Sequence, residues 1–160
     1  MAGAKHIHNL IAVNVLGELR QALPAQPCFV WGSDMRGRTE DDVRTYPDIS
    51  ARCGAPHFSD DAENELTNPT VFMEVLSPST EADDRGEKFA HYRTLRSLQM
   101  YVLVATNQRH VDVFTRQAGG AWLLQSYIEA GIERSRSLLT PTQQSTSEPP
   151  VPLPNATCTD

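Results

Sequence analysis

Apolar residues recur every fourth position at Ile7, Ile11, Val15, Leu19 and Leu23, with Leu16 widening the stripe. That period predicts an amphipathic helix over residues 6–23, ended by Pro24 and Pro27. A short apolar run, Cys28 to Trp31, predicts a strand leading to Ser33 and Asp34, and the charged stretch Arg36 to Arg44 reads as a hairpin connection or exposed strand margin. Tyr46 to Cys53 reads as a second strand, with Pro47 tolerated at its start. Residues 54–68, carrying Asp60, Asp61, Glu63 and Glu65, read as a polar loop. Val71 to Leu76, bounded by Pro69 and Pro78, is the clearest strand. Thr80 and Asp83 have the spacing of a helix cap, and a helix from about Asp83 to Leu95 would bury Phe89, Tyr92 and Leu95. Residues 99–105 and 110–116 predict two strands around a turn at Asn107, and Trp122 to Ile128 a last one. From Glu133 the chain turns Ser-, Thr- and Pro-rich, which predicts a disordered tail over 133–160 behind a single domain of residues 1–132. This order gives a mixed α/β (α+β) domain rather than a doubly wound repeat.

Composition narrows the picture. The chain has 160 residues, enough for one core. No stretch reaches the ~20 apolar residues of a membrane span, and the apolar segment Leu10 to Leu23 lacks the layout of a signal peptide. A cytoplasmic protein is expected. Cys28, Cys53 and Cys158 are odd in number and form no Cys-x-x-Cys pair, which predicts reduced thiols rather than a disulfide or zinc framework. The net charge of −6 offers no overall attraction to nucleic acid, so phosphate binding would need a local basic patch or a cation.

Candidate chemistry starts at Glu74. It interrupts a strand otherwise made of Val71, Phe72, Met73, Val75 and Leu76, where a lone carboxylate is costly unless paired, protonated or bound to metal. A Glu reaching a core Arg fits that strand equally well. Asp48, 26 residues earlier in another strand-like segment, changes the balance. Two carboxylates on neighbouring strands can hold one Mg²⁺, which accepts a few carboxylates and keeps open positions for a substrate phosphate. Lys88 shares a helix face with Asp84 and Tyr92, and an ammonium there could orient water or stabilise charge developing on phosphate. Taken alone, Asp84–Lys88 reads as an exposed ion pair.

The set Tyr46-Pro-Asp48, Glu74-Val-Leu-Ser-Pro-Ser-Thr80, Asp84-Arg-Gly-Glu-Lys88 and Tyr92 resembles the Uma-type family of putative restriction endonucleases, within the PD-(D/E)xK nuclease superfamily. His8-Asn-Leu-Ile-Ala-Val-Asn14 is similar to that family's first helix, and Ser33-Asp34-Met35 to its first strand. The resemblance covers roughly residues 4–128. It implies a restriction-endonuclease-like mixed sheet flanked by helices, with Asp48, Glu74 and the carbonyl of Val75 as ligands to Mg²⁺ or Mn²⁺. The superfamily's usual Lys position, two residues after the acid, is Leu76 here, so the resemblance transfers that role to Lys88. It also departs at the C-terminus, where relatives close with a compact apolar segment.

Other residues carry less. His6 and His8 stand i, i+2 and face apart on a helix, which disfavours a shared metal; His8 reads as a core or site-margin histidine. Ser77 and Ser79 lack the context of a nucleophile, and neither a Gly-rich phosphate loop nor an EF-hand is present. The leading expectation is a metal-dependent nuclease acting on DNA. In it, water oriented by Asp48 and Glu74's metal attacks phosphorus and Lys88 assists; Arg85 and Arg93 are candidates to contact phosphates, and a homodimer is one arrangement that would serve both strands. The alternatives are a catalytically inactive nucleic-acid or protein binding module on the same fold, and an unstable degenerate product.

Overall fold

The computed structural model describes residues 6–23, 27–60, 62–128 and 135–137. Helix α1 (His6–Ala22) follows the four-residue stripe, and Val15, Leu16 and Leu19 pack against Ile49, Met73 and Val102. After it come β1 (Cys28–Gly32), β2 (Arg36–Arg38), β3 (Arg44–Thr45), β4 (Ile49–Cys53), β5 (Phe58–Ser59), β6 (Ala62–Leu66) and β7 (Val71–Val75). Two short helices, α2 (Glu81–Arg85) and α3 (Glu87–Tyr92), lead to β8 (Met100–Val104), β9 (His110–Arg116), β10 (Trp122–Ile128) and β11 (Ser135–Ser137).

The main sheet has the order β1-β4-β7-β8-β9-β10-β11. Its one parallel pair is β7–β8, and the connection between them carries α2 and α3, as a parallel crossover requires. Strand β7 is covered on both faces. Ile49 and Met73 meet α1 on one side, while Phe72 sits with Phe89, Tyr92, Leu95, Leu98, Tyr101 and Leu103 on the other. Aromatic packing knits that second core, with Phe72–Tyr92 ring centroids 4.6 Å apart and Phe89–Phe114 at 4.5 Å.

Several features differ from expectation. The segment expected as a polar loop pairs into a second sheet, β3-β2-β6-β5. Its cohesion comes from Leu66, fully buried, and from Glu65, a buried acid met by Arg44 at 3.0 Å, Arg38 at 3.6 Å and Arg36 at 3.9 Å. A pattern search for apolar alternation does not see such a strand. The helix expected over 83–95 is broken at Gly86, whose N–H bonds to Asp83 O and ends α2; Thr80 makes no side-chain cap. Asp48 lies just ahead of β4 rather than within it. Finally, Cys28 and Cys53 are disulfide-bonded, not reduced, because the antiparallel β1–β4 register sets them opposite each other. At the far edge, Ser135–Ser137 pairs with β10, so pairing reaches into the segment expected as tail. The remainder of that segment lies outside the described residues. No helix among the described residues is long and apolar enough to cross a membrane.

Candidate metal centre

The carboxyl-terminal end of β7 and the segment entering β4 meet at one end of these two neighbouring strands. Two reciprocal bonds join them: Val75 N–H donates to Asp48 Oδ2 at 2.8 Å, and Asp48 N–H to Glu74 Oε2 at 3.4 Å. Each carboxylate is thus held by the other strand's backbone. That arrangement follows from the β4–β7 pairing of Ile49 with Met73, which sets Asp48 level with the end of β7.

From the opposite side comes Lys88. Its Nζ is 2.8 Å from Glu74 Oε1 and 3.1 Å from Asp84 Oδ1. Tyr92, one turn further along α3, donates its hydroxyl to the same Glu74 Oε1 at 2.8 Å. Asp84 is buried rather than an exposed partner, and Tyr101 donates to its carbonyl at 2.9 Å. The four-residue spacing Asp84–Lys88 survives the break at Gly86.

A pocket of about 440 Å³ opens over this cluster. Asp48, Glu74, Val75, Asp84 and Lys88 line it, with His8 and Ile7 from α1, Tyr46, and the turn Ser77 to Thr80. The three residues expected from the sequence to share a site, Asp48, Glu74 and Lys88, therefore do share one. Val75 reaches it through its backbone. Asp84 and His8 are additional: the sequence placed Asp84 on the right face, but its burial was not legible, and His8 showed nothing to separate it from a core histidine. Arg85 and Arg93 do not line the pocket. Arg85 is tied to Glu81 at 2.9 Å and Asp112 at 2.7 Å, and Arg93 stacks over Phe89. Asp112 is further held by His110 at 2.8 Å and by the Ser126 hydroxyl, so this second cluster fastens α2 to β9 and β10.

Electrostatically the pocket has an excess of negative charge. Burial pushes the Glu74 carboxyl up to about 7; Lys88 opposes that shift, and Asp84 and Asp48 add to it. Burial disfavours the Lys88 ammonium, but Glu74 and Asp84 more than offset it and raise its pKa. Lys88 therefore stays cationic, and Glu74 is the member that takes up a proton. Three carboxylates facing one ammonium suit a further cation. Among the described residues no three His, Cys, Asp or Glu side chains close a cage. A two-carboxylate platform open to a pocket is what Mg²⁺ accepts, since it keeps several waters. The donor set fits a hard divalent ion.

A solved structure titled as a putative nuclease belonging to DUF820, from Anabaena variabilis, superposes with a TM-score of 0.59 over 88% of this chain and 74% of that one. At 17% identity, that likeness concerns the fold, which is restriction-endonuclease-like. Two uncharacterized proteins of Synechocystis sp. are each 32% identical, over 125 and 128 residues; the matches cover 78% and 79% of this chain and 71% and 66% of theirs. The model of the Uma2 family, described as "Putative restriction endonuclease", matches residues 1–151, which takes in every residue of the pocket. The chain belongs to the Uma2 family.

Proposed function

We propose that the chain is a divalent-metal-dependent nuclease that hydrolyses DNA phosphodiester bonds. The observation that supports it most is Lys88: from a separate helix, its Nζ comes within 2.8 Å of Glu74, whose other oxygen faces the Asp48 backbone. In this reading Asp48, Glu74 and the Val75 carbonyl hold Mg²⁺, with Mn²⁺ as a substitute. Bound there, the ion supplies Lewis acidity toward phosphate and lowers the pKa of water at its open positions. The chain's own contributions are positional and electrostatic. Tyr92 and Lys88 fix Glu74 in one rotamer, the reciprocal backbone bonds fix Asp48 against β7, and Lys88 stabilises negative charge growing on the phosphate. With a net charge of −6, productive DNA contact depends on this local cation set.

The test is direct. Purified protein with Mg²⁺ or Mn²⁺ should cleave DNA; Asp48→Ala and Glu74→Ala should each reduce the rate by at least about 10²-fold, and Lys88→Ala by a similar factor. Uncut DNA with both ions, or a Glu74→Ala protein as active as its parent, sinks the reading.

A binding module without catalysis is the second reading. What favours it is that Lys88 and Tyr92 both occupy Glu74 Oε1. Calorimetry separates the two: tight DNA or protein binding with no divalent-ion uptake points to the module.

A further inference from the structure

His8 is among the pocket residues to which the proposed mechanism gives no role. His8 enters from α1, a helix that packs on the face of the sheet opposite to α3, and its imidazole is largely buried, with a side-chain exposure of 15%. Its Nε2 lies 3.1 Å from Asp48 Oδ2, its one polar partner among the described residues. Its Nδ1 is buried with no hydrogen-bond partner. Burying an imidazole with one nitrogen unsatisfied costs free energy.

The Asp48 carboxylate shows what the contact accomplishes. Oδ2 is gripped twice, by Val75 N–H at 2.8 Å and by His8 at 3.1 Å, while among the described residues nothing bonds to Oδ1. One grip leaves the carboxylate free to rotate about its Cβ–Cγ bond; two from different elements fix its plane. With Oδ2 held, Oδ1 is the oxygen left for a ligand in the pocket that Asp48 lines. Glu74 is held at Oε1 by Lys88 and Tyr92, while its Oε2 accepts from Asp48 N–H at 3.4 Å. Both carboxylates thus have one oxygen held by side chains from a flanking helix, and the two helices lie on opposite faces of the sheet.

We infer that His8 is a positioning residue, which holds Asp48 in the rotamer that presents Oδ1 to the divalent ion. The inference rests on the proposed metal site. Partners behind a metal ligand commonly set affinity or activity by 10- to 100-fold. The distinguishing feature is the position of the contacting nitrogen. A glutamine side chain can place an amide N–H near the location of Nε2, whereas alanine cannot.

The experiment is Mn²⁺ binding by calorimetry on the full chain without DNA, for the parent, His8→Ala and His8→Gln, each first checked by thermal melting. His8→Ala should weaken Mn²⁺ at least about tenfold, and His8→Gln should recover most of the loss. With a DNA substrate at saturating Mn²⁺, His8→Ala should lower kcat while leaving KM within about twofold. Equal Mn²⁺ affinity in the parent and His8→Ala overturns the inference, as does a parent that takes up no Mn²⁺ or a glutamine variant no better than alanine. If His8→Ala fails to fold, a His8→Gln protein that folds yet binds Mn²⁺ more than tenfold more weakly than the parent also overturns it. Failure of the nuclease reading is distinguishable, because it shows as intact His8-dependent Mn²⁺ binding with DNA left uncut.

Discussion

Glu74 combines two opposed demands. Burial raises its pKa from 4.5 to about 7, so between those values the folded chain holds a proton that the unfolded chain has released. Its contribution to the stability of the metal-free protein is fully present below about 4.5 and is lost as pH rises through about 7. The shift corresponds to roughly 3 kcal/mol by the usual conversion. Glu74→Gln, neutral at every pH, should therefore be more stable than the parent at pH 8 in EDTA by about 1–3 kcal/mol, and equal to it near pH 4. Denaturant midpoints at the two pH values check this. A less stable glutamine variant at pH 8 would mean that the Lys88 ion pair outweighs the burial of charge. The same residue shows how far the sequence reads at this scale. An acid among five apolar neighbours announces itself without a structure, and Asp48 and Lys88 gain meaning from their order. His8 and Asp84 do not, because their significance lies in what surrounds them. His8 is ordinary on its helix until the helix is seen to end at Asp48.

Elements were legible where apolar residues set the period. The helix at the start and the strands at 71–75, 100–104, 110–116 and 122–128 all follow it. The small sheet was not, because its strands are held by polar and glycine contacts. Glu65 replaces an apolar core residue by gathering three arginines, and Gly37 lets β2 approach the main sheet. A Cβ at Gly37 would stand 2.5 Å from Cζ of Phe72, a fully buried ring in the core beneath Glu74. The ring has nowhere to go without displacing Tyr92, which packs on it at 4.6 Å and also holds Glu74. Gly37→Ala should cost roughly 1–3 kcal/mol in chemical denaturation, the range for overpacking a filled core. It should also weaken divalent-ion binding through Tyr92. A change below about 0.5 kcal/mol would mean that the two sheets separate easily. The helix break at Gly86 was hidden for another reason: the period of Asp84, Lys88 and Tyr92 runs through it unchanged.

The arrangement of the whole chain turns on one covalent link. An odd set of three cysteines with no paired motif reads as free thiols, and only the β1–β4 register shows that Cys28 and Cys53 are partners. The bridge encloses β2, β3 and Asp48, and so joins the small sheet, the edge of the main sheet and one carboxylate of the pocket in a single closed loop. Closing a loop of this size, with a sequence separation of 25 between the cysteines, restricts the unfolded chain by about 3 kcal/mol on the chain-entropy account. Two measurements follow. Thiol titration of the unfolded, unreduced protein should find one free cysteine per chain, leaving Cys158 as the unpaired member. Reduction should lower the melting temperature by several degrees, the shift expected for that free energy in a domain of this length. The Cys28→Ser, Cys53→Ser protein should melt like the reduced parent and no longer respond to reductant. Three titratable thiols would instead restore the expectation of a reducing compartment. The pocket would then rest on the β4–β7 pairing and its own side-chain contacts, since Ile49–Met73 and the Val75–Asp48 bond remain in place without the sulfurs. Divalent-ion affinity, measured on both forms, should therefore change much less than the melting temperature. A parallel loss of both would show that the bridge, rather than the β4–β7 register, holds Asp48 in the site.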